Sequence, residues 1–172
     1  LKQRPEVWFT LVALCKLGAT AIPASFQLTE KDIIYRCDAA EVKMIIAAED
    51  DNIIGHIKNS RHKCKTLVHV GLVGDDIAER FGEEFLDMRK LTAAASPDFV
   101  RPTGDDATTN FDTMLMYFTS GTTGMPKMIT HNFLYPLGHI TTAHFWQKVE
   151  DEGRHLTVSD SGWAKFAWGK IY

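Results

Sequence analysis

Apolar positions along this chain switch period repeatedly, from helical spacing to short unbroken runs and back. Over residues 5–17, Val7, Trp8, Phe9, Leu11, Val12, Leu14 and Cys15 leave little polar face, which predicts a helix buried on most sides. Pro5 suits its first turn, Lys16 its last, and Gly18 the position just beyond. Residues 19–22 read as a short strand that Pro23 ends. Thr29 and Asp32 stand at near capping-box spacing in a helix over residues 29–38, with Ile33, Cys37 and Ala40 on one face. The apolar run at 43–48 has the length of a buried strand. Ile53, Ile54 and Ile57 mark a helix over 51–59, and residues 65–70 read as another strand.

A turn is expected over 71–76. Ile77, Phe81, Phe85 and Met88 have helical spacing across 77–91, although Gly82 weakens that helix. Pro97, Pro102 and Gly104 make residues 92–111 the expected linker between a βα portion over 1–91 and a second portion over 112–172. In the second portion an apolar strand at 114–118 precedes a Gly-rich loop, and Met128, Ile129 and Thr130 read as the returning strand. His131 and Asn132 are placed to cap a helix reaching about residue 149, with Pro136 tolerated near its start. Residues 156–159 look like a further strand. Strand and helix alternating over short connections predicts βαβ units. The fold class is therefore α/β, with a helix-covered, largely parallel sheet.

Composition changes this picture little. With 172 residues, 45% hydrophobic and 24% charged, the chain has ample apolar material for a core. A net charge of -3 supplies no general attraction to nucleic acid or to an anionic membrane, and neither partner is expected. No apolar run approaches the roughly 20 residues of a spanning helix, and no signal peptide is visible. Cys15, Cys37 and Cys64 are scattered and odd in number. Neither a disulfide framework nor a metal cluster follows, and a reducing cytoplasm is the default location. The chain opens at Leu1 and stops inside the apolar-aromatic run 170–172, so a piece of a longer polypeptide is expected.

Chemistry concentrates in the stretch Tyr-Phe-Thr-Ser-Gly-Thr-Thr-Gly-Met-Pro-Lys over residues 117–127. Gly121 and Gly124 can take positive φ, letting successive backbone N–H groups turn toward one anion. Thr119, Ser120, Thr122 and Thr123 add hydroxyl donors, and Lys127 adds a compact positive charge. Pro126 stiffens the exit and biases Met125 toward extended backbone. A solvated hairpin loop would share the Gly/Ser/Thr content, but not the placed lysine and proline. The Walker pattern is excluded: it needs four residues between its glycines and Ser or Thr directly after the lysine. Here Thr122 and Thr123 alone separate the glycines, and Met128 follows Lys127.

Every position from Tyr117 to Lys127 is similar to the signature loop of AMP-forming acyl-CoA synthetases, members of the adenylate-forming superfamily. Segments resembling that family at 17–23 and 28–33 place the chain upstream of the loop, within the family's large N-terminal domain. The resemblance implies that Thr119, Ser120, Gly121, Thr122, Thr123, Gly124 and Lys127 wrap the ATP phosphates. A carboxylate would attack the α-phosphate of ATP with Mg2+, expelling pyrophosphate, and the thiol of CoA would then release AMP. The substrate acid is itself the nucleophile, so no catalytic side chain and no protein metal ligand are assigned.

Asp160-Ser161-Gly162-Trp163 is similar to a segment of the acetyl- and medium-chain acyl-CoA synthetases. By position it makes Trp163, Ala164 and Lys165 acyl-pocket candidates. Lys165 departs from an apolar pocket, and core packing is the plainer reading of Trp163 and Trp168. His131 lies close enough to the loop to contact nucleotide or simply to begin a helix. The other histidines lack metal-ligand spacing. The adjacent acidic pairs at 50–51, 75–76 and 105–106 read as solvated turns. The family's ribose-binding, hinge and catalytic-lysine segments are not found in this sequence. The parent is thus expected to be an acid-thiol ligase whose C-terminal part is missing here, and this piece alone to be inactive. Two alternatives stay open: a non-catalytic nucleotide- or phosphate-binding module, and an adenylating enzyme that serves a carrier protein.

Overall fold

The computed structural model describes residues 1–120 and 124–168. These divide into two compact units, Leu1–Lys2 with Phe26–Phe99, and Gln3–Ser25 with the chain from Val100 onward.

The first unit is a small βα layer. Strands β1 (Met44–Ala48), β2 (His69–Val73) and β3 (Leu86–Asp87) lie side by side in that order, both pairs parallel. Helix α2 (Glu30–Ala39) precedes the sheet. Helices α3 (Asp51–Ser60) and α4 (Ile77–Phe81) form the crossovers, and α5 (Met88–Ala94) follows β3. The capping box forms as the sequence requires: the Asp32 N–H donates to the Thr29 hydroxyl, and the Thr29 N–H donates to the Asp32 carboxylate at 3.1 Å. Asp50 caps α3 by accepting from the Ile53 N–H at 3.4 Å. Ile33, Ile53, Ile54, Ile57, Val70, Leu72, Ile77 and Phe81 meet in one buried cluster.

Two expectations change here. Residues 71–73 continue the strand rather than turning. A side chain at Gly71 would meet the Met88 thioether, so the glycine marks where α5 packs closely on β2. The helix expected over 77–91 is interrupted. Gly82 at φ +116 ends α4, a two-residue strand follows, and the Asp87 carboxylate restarts helix by accepting from the Lys90 N–H.

The second unit holds α1 (Pro5–Leu17), which ends in left-handed Gly18 at φ +71. It also holds the antiparallel pair β4 (Thr113–Thr119) and β5 (Lys127–Asn132), followed by α6 (Tyr135–Thr141) and α7 (Ala164–Trp168). Helix α1 buries Val7 and Leu11 but leaves Phe9, Val12 and Leu17 exposed, so it is covered on one side rather than most. The strand expected at 19–22 reduces to Ala21. Its N–H donates to the Met114 carbonyl and its carbonyl accepts from the Met116 N–H, both at 2.9 Å. Past Asn132 the helix starts later and is shorter than expected, ending in a π-helical turn, Thr142–Trp146. Residues 156–159 form no strand, and Leu156 and Val158 point to solvent. Among the described residues no helix is long and apolar enough to cross a membrane.

The core and the cap differ enough in magnitude to be ranked. Ile57→Ala removes a side chain only 1% exposed and is expected to cost about 2–5 kcal/mol. Thr29→Ala removes one cap and is expected to cost about 1 kcal/mol. Urea unfolding of both variants checks the order; equal losses would show that the first unit lacks a packed core at Ile57.

Candidate functional site

The loop of interest joins the end of β4 to the start of β5. The register pairs Thr119 with Lys127, Tyr117 with Ile129 and Leu115 with His131. Alternation along strands therefore puts Lys127, Ile129 and His131 on the same face as Thr119, Tyr117 and Leu115. Leu115 is 0% and Tyr117 3% exposed. These two buried side chains fix the pairing, because a slip of one residue would turn them out to solvent. Thr119 and Lys127 sit at the end of the ladder and are exposed, as are Ser120, Gly124 and Met125. Gly124 takes φ +88, with open space where a side chain would stand. Gly121, Thr122 and Thr123, the remaining loop positions read from the sequence, lie outside the described residues. What the described flanks offer is a lysine ammonium and two hydroxyls around a loop mouth open to water.

Behind that mouth runs a column of rings that the sequence reading did not assemble. His131 lies edge-on to Tyr117 at 6.0 Å and packs on Tyr135 at 4.1 Å, and Tyr135 meets His139 at 4.4 Å. The spacing of Tyr135 and His139, four positions apart, is the signal that could have found half of it. Burial pushes both histidines below their ordinary pKa, and for His139 the charge of His131 adds to the effect. Burial raises the Tyr135 phenol, against which the hydrogen bond with Tyr117 acts. His131 thus serves as a neutral, packed ring between β5 and α6 at neutral pH.

The acyl-pocket candidates stand on α7 and the turn before it. The Asp160 carboxylate accepts from the Gly162 N–H at 2.8 Å, and its backbone carbonyl from the Trp163 N–H at 3.1 Å. A Cβ at Gly162 would stand 2.4 Å from the Ser25 nitrogen, so only glycine lets the turn lie against residues 24–25. Trp163 is 66% exposed, Lys165 is exposed, and Ala164 is half-buried. The Ala164 carbonyl accepts from the Tyr117 hydroxyl at 3.4 Å, which ties α7 to the hairpin. The buried ring is Phe166, stacked on Trp8 at 5.2 Å. The tryptophan singled out in the sequence is therefore an exposed surface ring, and the phenylalanine three residues on does the packing.

The histidine column has a pH signature. A native pKa below the unfolded value near 6.5 means the native state binds fewer protons in the interval between them. The stability is fully present above about pH 6.5 and is lost as pH falls from there through the lowered values. Urea midpoints of the wild-type chain are expected to drop between pH 7.5 and 5.5. His131→Gln with His139→Gln is expected to flatten that drop; an unchanged slope in the double variant would contradict the assignment.

The description of the AMP-binding enzyme family matches residues 1–166. The chain is 36% identical over 169 residues to acyl-coenzyme A synthetase ACSM5, mitochondrial, of Rattus norvegicus, covering 98% of this chain and 28% of that protein. It is 34% identical over 178 residues to acyl-coenzyme A synthetase ACSM3, mitochondrial, of Mus musculus, again spanning 28% of its length. Among solved structures, the acetoacetyl-CoA synthetase of Streptomyces lividans superposes with a TM-score of 0.79 at 18% identity, over 98% of this chain and 26% of that one. The names of these relatives overturn the expected cytoplasmic location, since the ACSM proteins are mitochondrial. Three scattered thiols carry no information about compartment. With its family description matched over nearly its whole length, the chain belongs to the AMP-binding enzyme family.

Proposed function

We propose that this chain is the phosphate-gripping portion of an AMP-forming acyl-CoA synthetase acting on a carboxylic acid, MgATP and CoA. The observation that carries the reading is the hairpin mouth, where Lys127 stands opposite Thr119 on a register fixed by buried Leu115 and Tyr117. Thr119, Ser120, Gly121, Thr122, Thr123 and Gly124 supply amides and hydroxyls to the β- and γ-phosphates. Lys127 closes the grip as a point charge. Such donors act most strongly on charge that builds as pyrophosphate departs, which is where electrostatic stabilisation accelerates the step. The carboxylate of the substrate attacks the α-phosphorus, the bond to the bridging oxygen breaks, and pyrophosphate leaves. The CoA thiol then attacks the acyl carbon and AMP leaves with the electron pair of the mixed anhydride. Mg2+ arrives with the nucleotide.

Similarity to the ACSM proteins favours CoA over a carrier protein as acceptor, and favours a mitochondrial setting. The Asp160–Trp163 turn supports a short or medium acyl chain, with Trp163, Ala164 and Lys165 lining its end of the pocket. Exposure of Trp163 leaves it accessible to such a ligand.

Two outcomes test the proposal. In the full-length protein, Lys127→Ala is expected to lower acid-dependent pyrophosphate exchange by about 10²–10³-fold, with the same loss for acetate, butyrate and octanoate. A loss confined to one acid would move Lys127 from the phosphates to the acyl group. The 172-residue chain spans 28% of the ACSM relatives. By itself it is expected to release no acid-dependent pyrophosphate above its own Lys127→Ala control; measurable turnover would show that the chemistry needs no more than this piece.

A further inference from the structure

Tyr117 is buried in the second unit, and the proposed reaction gives it no task. It stands on β4 two residues before Thr119, on the face that also carries Leu115 and Lys127. The residue is 3% exposed, and its ring lies edge-on to His131 at 6.0 Å. Its hydroxyl reaches 47 positions along the chain, donating to the Ala164 carbonyl at 3.4 Å. Ala164 is the first residue of α7 and the middle of the Trp163–Lys165 segment. That segment has two other anchors. Phe166 stacks on Trp8 of α1 at 5.2 Å, and Gly162 lets the preceding turn pass against residues 24–25. Both anchors come from the start of the chain. The Tyr117 contact comes instead from the strand that leads to Thr119 and Ser120.

We propose that Tyr117 is a positioning residue for acid specificity. Its hydroxyl sets how far the Trp163–Lys165 segment stands from the hairpin mouth, and so which acyl length brings its carboxylate to the α-phosphorus. This role rests on the proposed phosphate grip and acyl pocket. An acid held at both ends must span a fixed distance, and a small error in that distance is costly to the reaction. The strand supplies one end of the span and α7 the other. A hydroxyl on the strand that bonds to the first carbonyl of the helix ties the two ends directly. Because the acceptor is main chain, the tie places Trp163 and Lys165 together, whatever their own side chains touch. Burial of the Tyr117 ring against His131 keeps the hydroxyl aimed. Donors in the loop hold the phosphates alike for every acid. Discrimination between acids needs a contact that reaches the pocket segment, and Tyr117 makes one.

The test uses the full-length protein carrying Tyr117→Phe, which keeps the ring and removes the hydroxyl. Rates of pyrophosphate exchange are measured over a range of acetate, butyrate and octanoate at saturating MgATP, and over a range of MgATP with the best acid. The spread in kcat/KM between the best and the worst acid is expected to shrink by about 3–10-fold, the worth of one hydrogen bond, while KM for MgATP changes by less than about twofold. Amide hydrogen exchange of the same variant gives a readout independent of turnover. Residues 164–167 are expected to exchange faster and residues 113–119 at the wild-type rate. An equal loss for all three acids would make Tyr117 merely structural and overturn the proposal. So would a change confined to KM for MgATP, unaltered exchange at 164–167, or faster exchange throughout β4. A wild-type protein without acid-dependent pyrophosphate exchange would sink the ligase reading and this role together. An active wild type whose acid preference is unmoved in the variant would sink this role alone.

Discussion

Strand register in the Thr113–Thr119 and Lys127–Asn132 hairpin is the constraint on which the rest of the second unit depends. A two-stranded ribbon is marginal in water by itself. This one gains a third point of support, because the backbone of Ala21 bonds to Met114 and Met116 on the outer edge of the leading strand. The buried side chains Leu115 and Tyr117 then set which face of the ribbon looks inward. Once that face is set, so is the direction of Lys127, since side chains alternate strictly along a strand. A lysine carried at a hairpin mouth by this means keeps its ammonium in water while its backbone is held opposite Thr119.

The turn at residues 160–163 shows the same logic on a different element. Asp160 bonds to the backbone ahead of it, and Gly162 allows the chain to pass against residues 24–25 without a side chain in the way. The short helix that follows puts Phe166 against Trp8 and its first carbonyl against the Tyr117 hydroxyl. The helix after the 160–163 turn and the hairpin are thereby tied through a common residue, Tyr117, whose ring also reaches His131. Small errors in one would be transmitted to the other through packed rings rather than through flexible loop.

How much of this was legible in the sequence follows from how local each signal is. The Thr29–Asp32 cap, the Gly18 stop and the apolar runs that became β1 and β4 rest on neighbours within a few residues, and they were readable. The two strands of the hairpin were readable for the same reason. Burial of α1 was not: only the partner surface decides which of its many apolar residues are covered, and Phe9 and Val12 stay in solvent. The extent of β2 was misread because Gly71 looks like a turn residue until Met88, seventeen positions on, is seen to occupy its missing side chain. Leu156 and Val158 have strand propensity but gain no ladder partner, so propensity alone does not order them. Trp163 is exposed and Phe166 buried, since the turn at Gly162 fixes the phase of the helix that follows. The ring column was hidden because it joins two strands and a helix that no single periodicity describes.

The central claim is that the described flanks of the loop, at 119–120 and 124–127, close on the phosphates of ATP. Hydrogen–deuterium exchange in the full-length protein, read peptide by peptide with and without MgATP, addresses it directly. The account predicts slowed exchange concentrated between the two hairpin strands when nucleotide is present, and none of that slowing with adenosine alone. Unaltered exchange across 119–127 at saturating MgATP, with protection elsewhere in the protein, would contradict it.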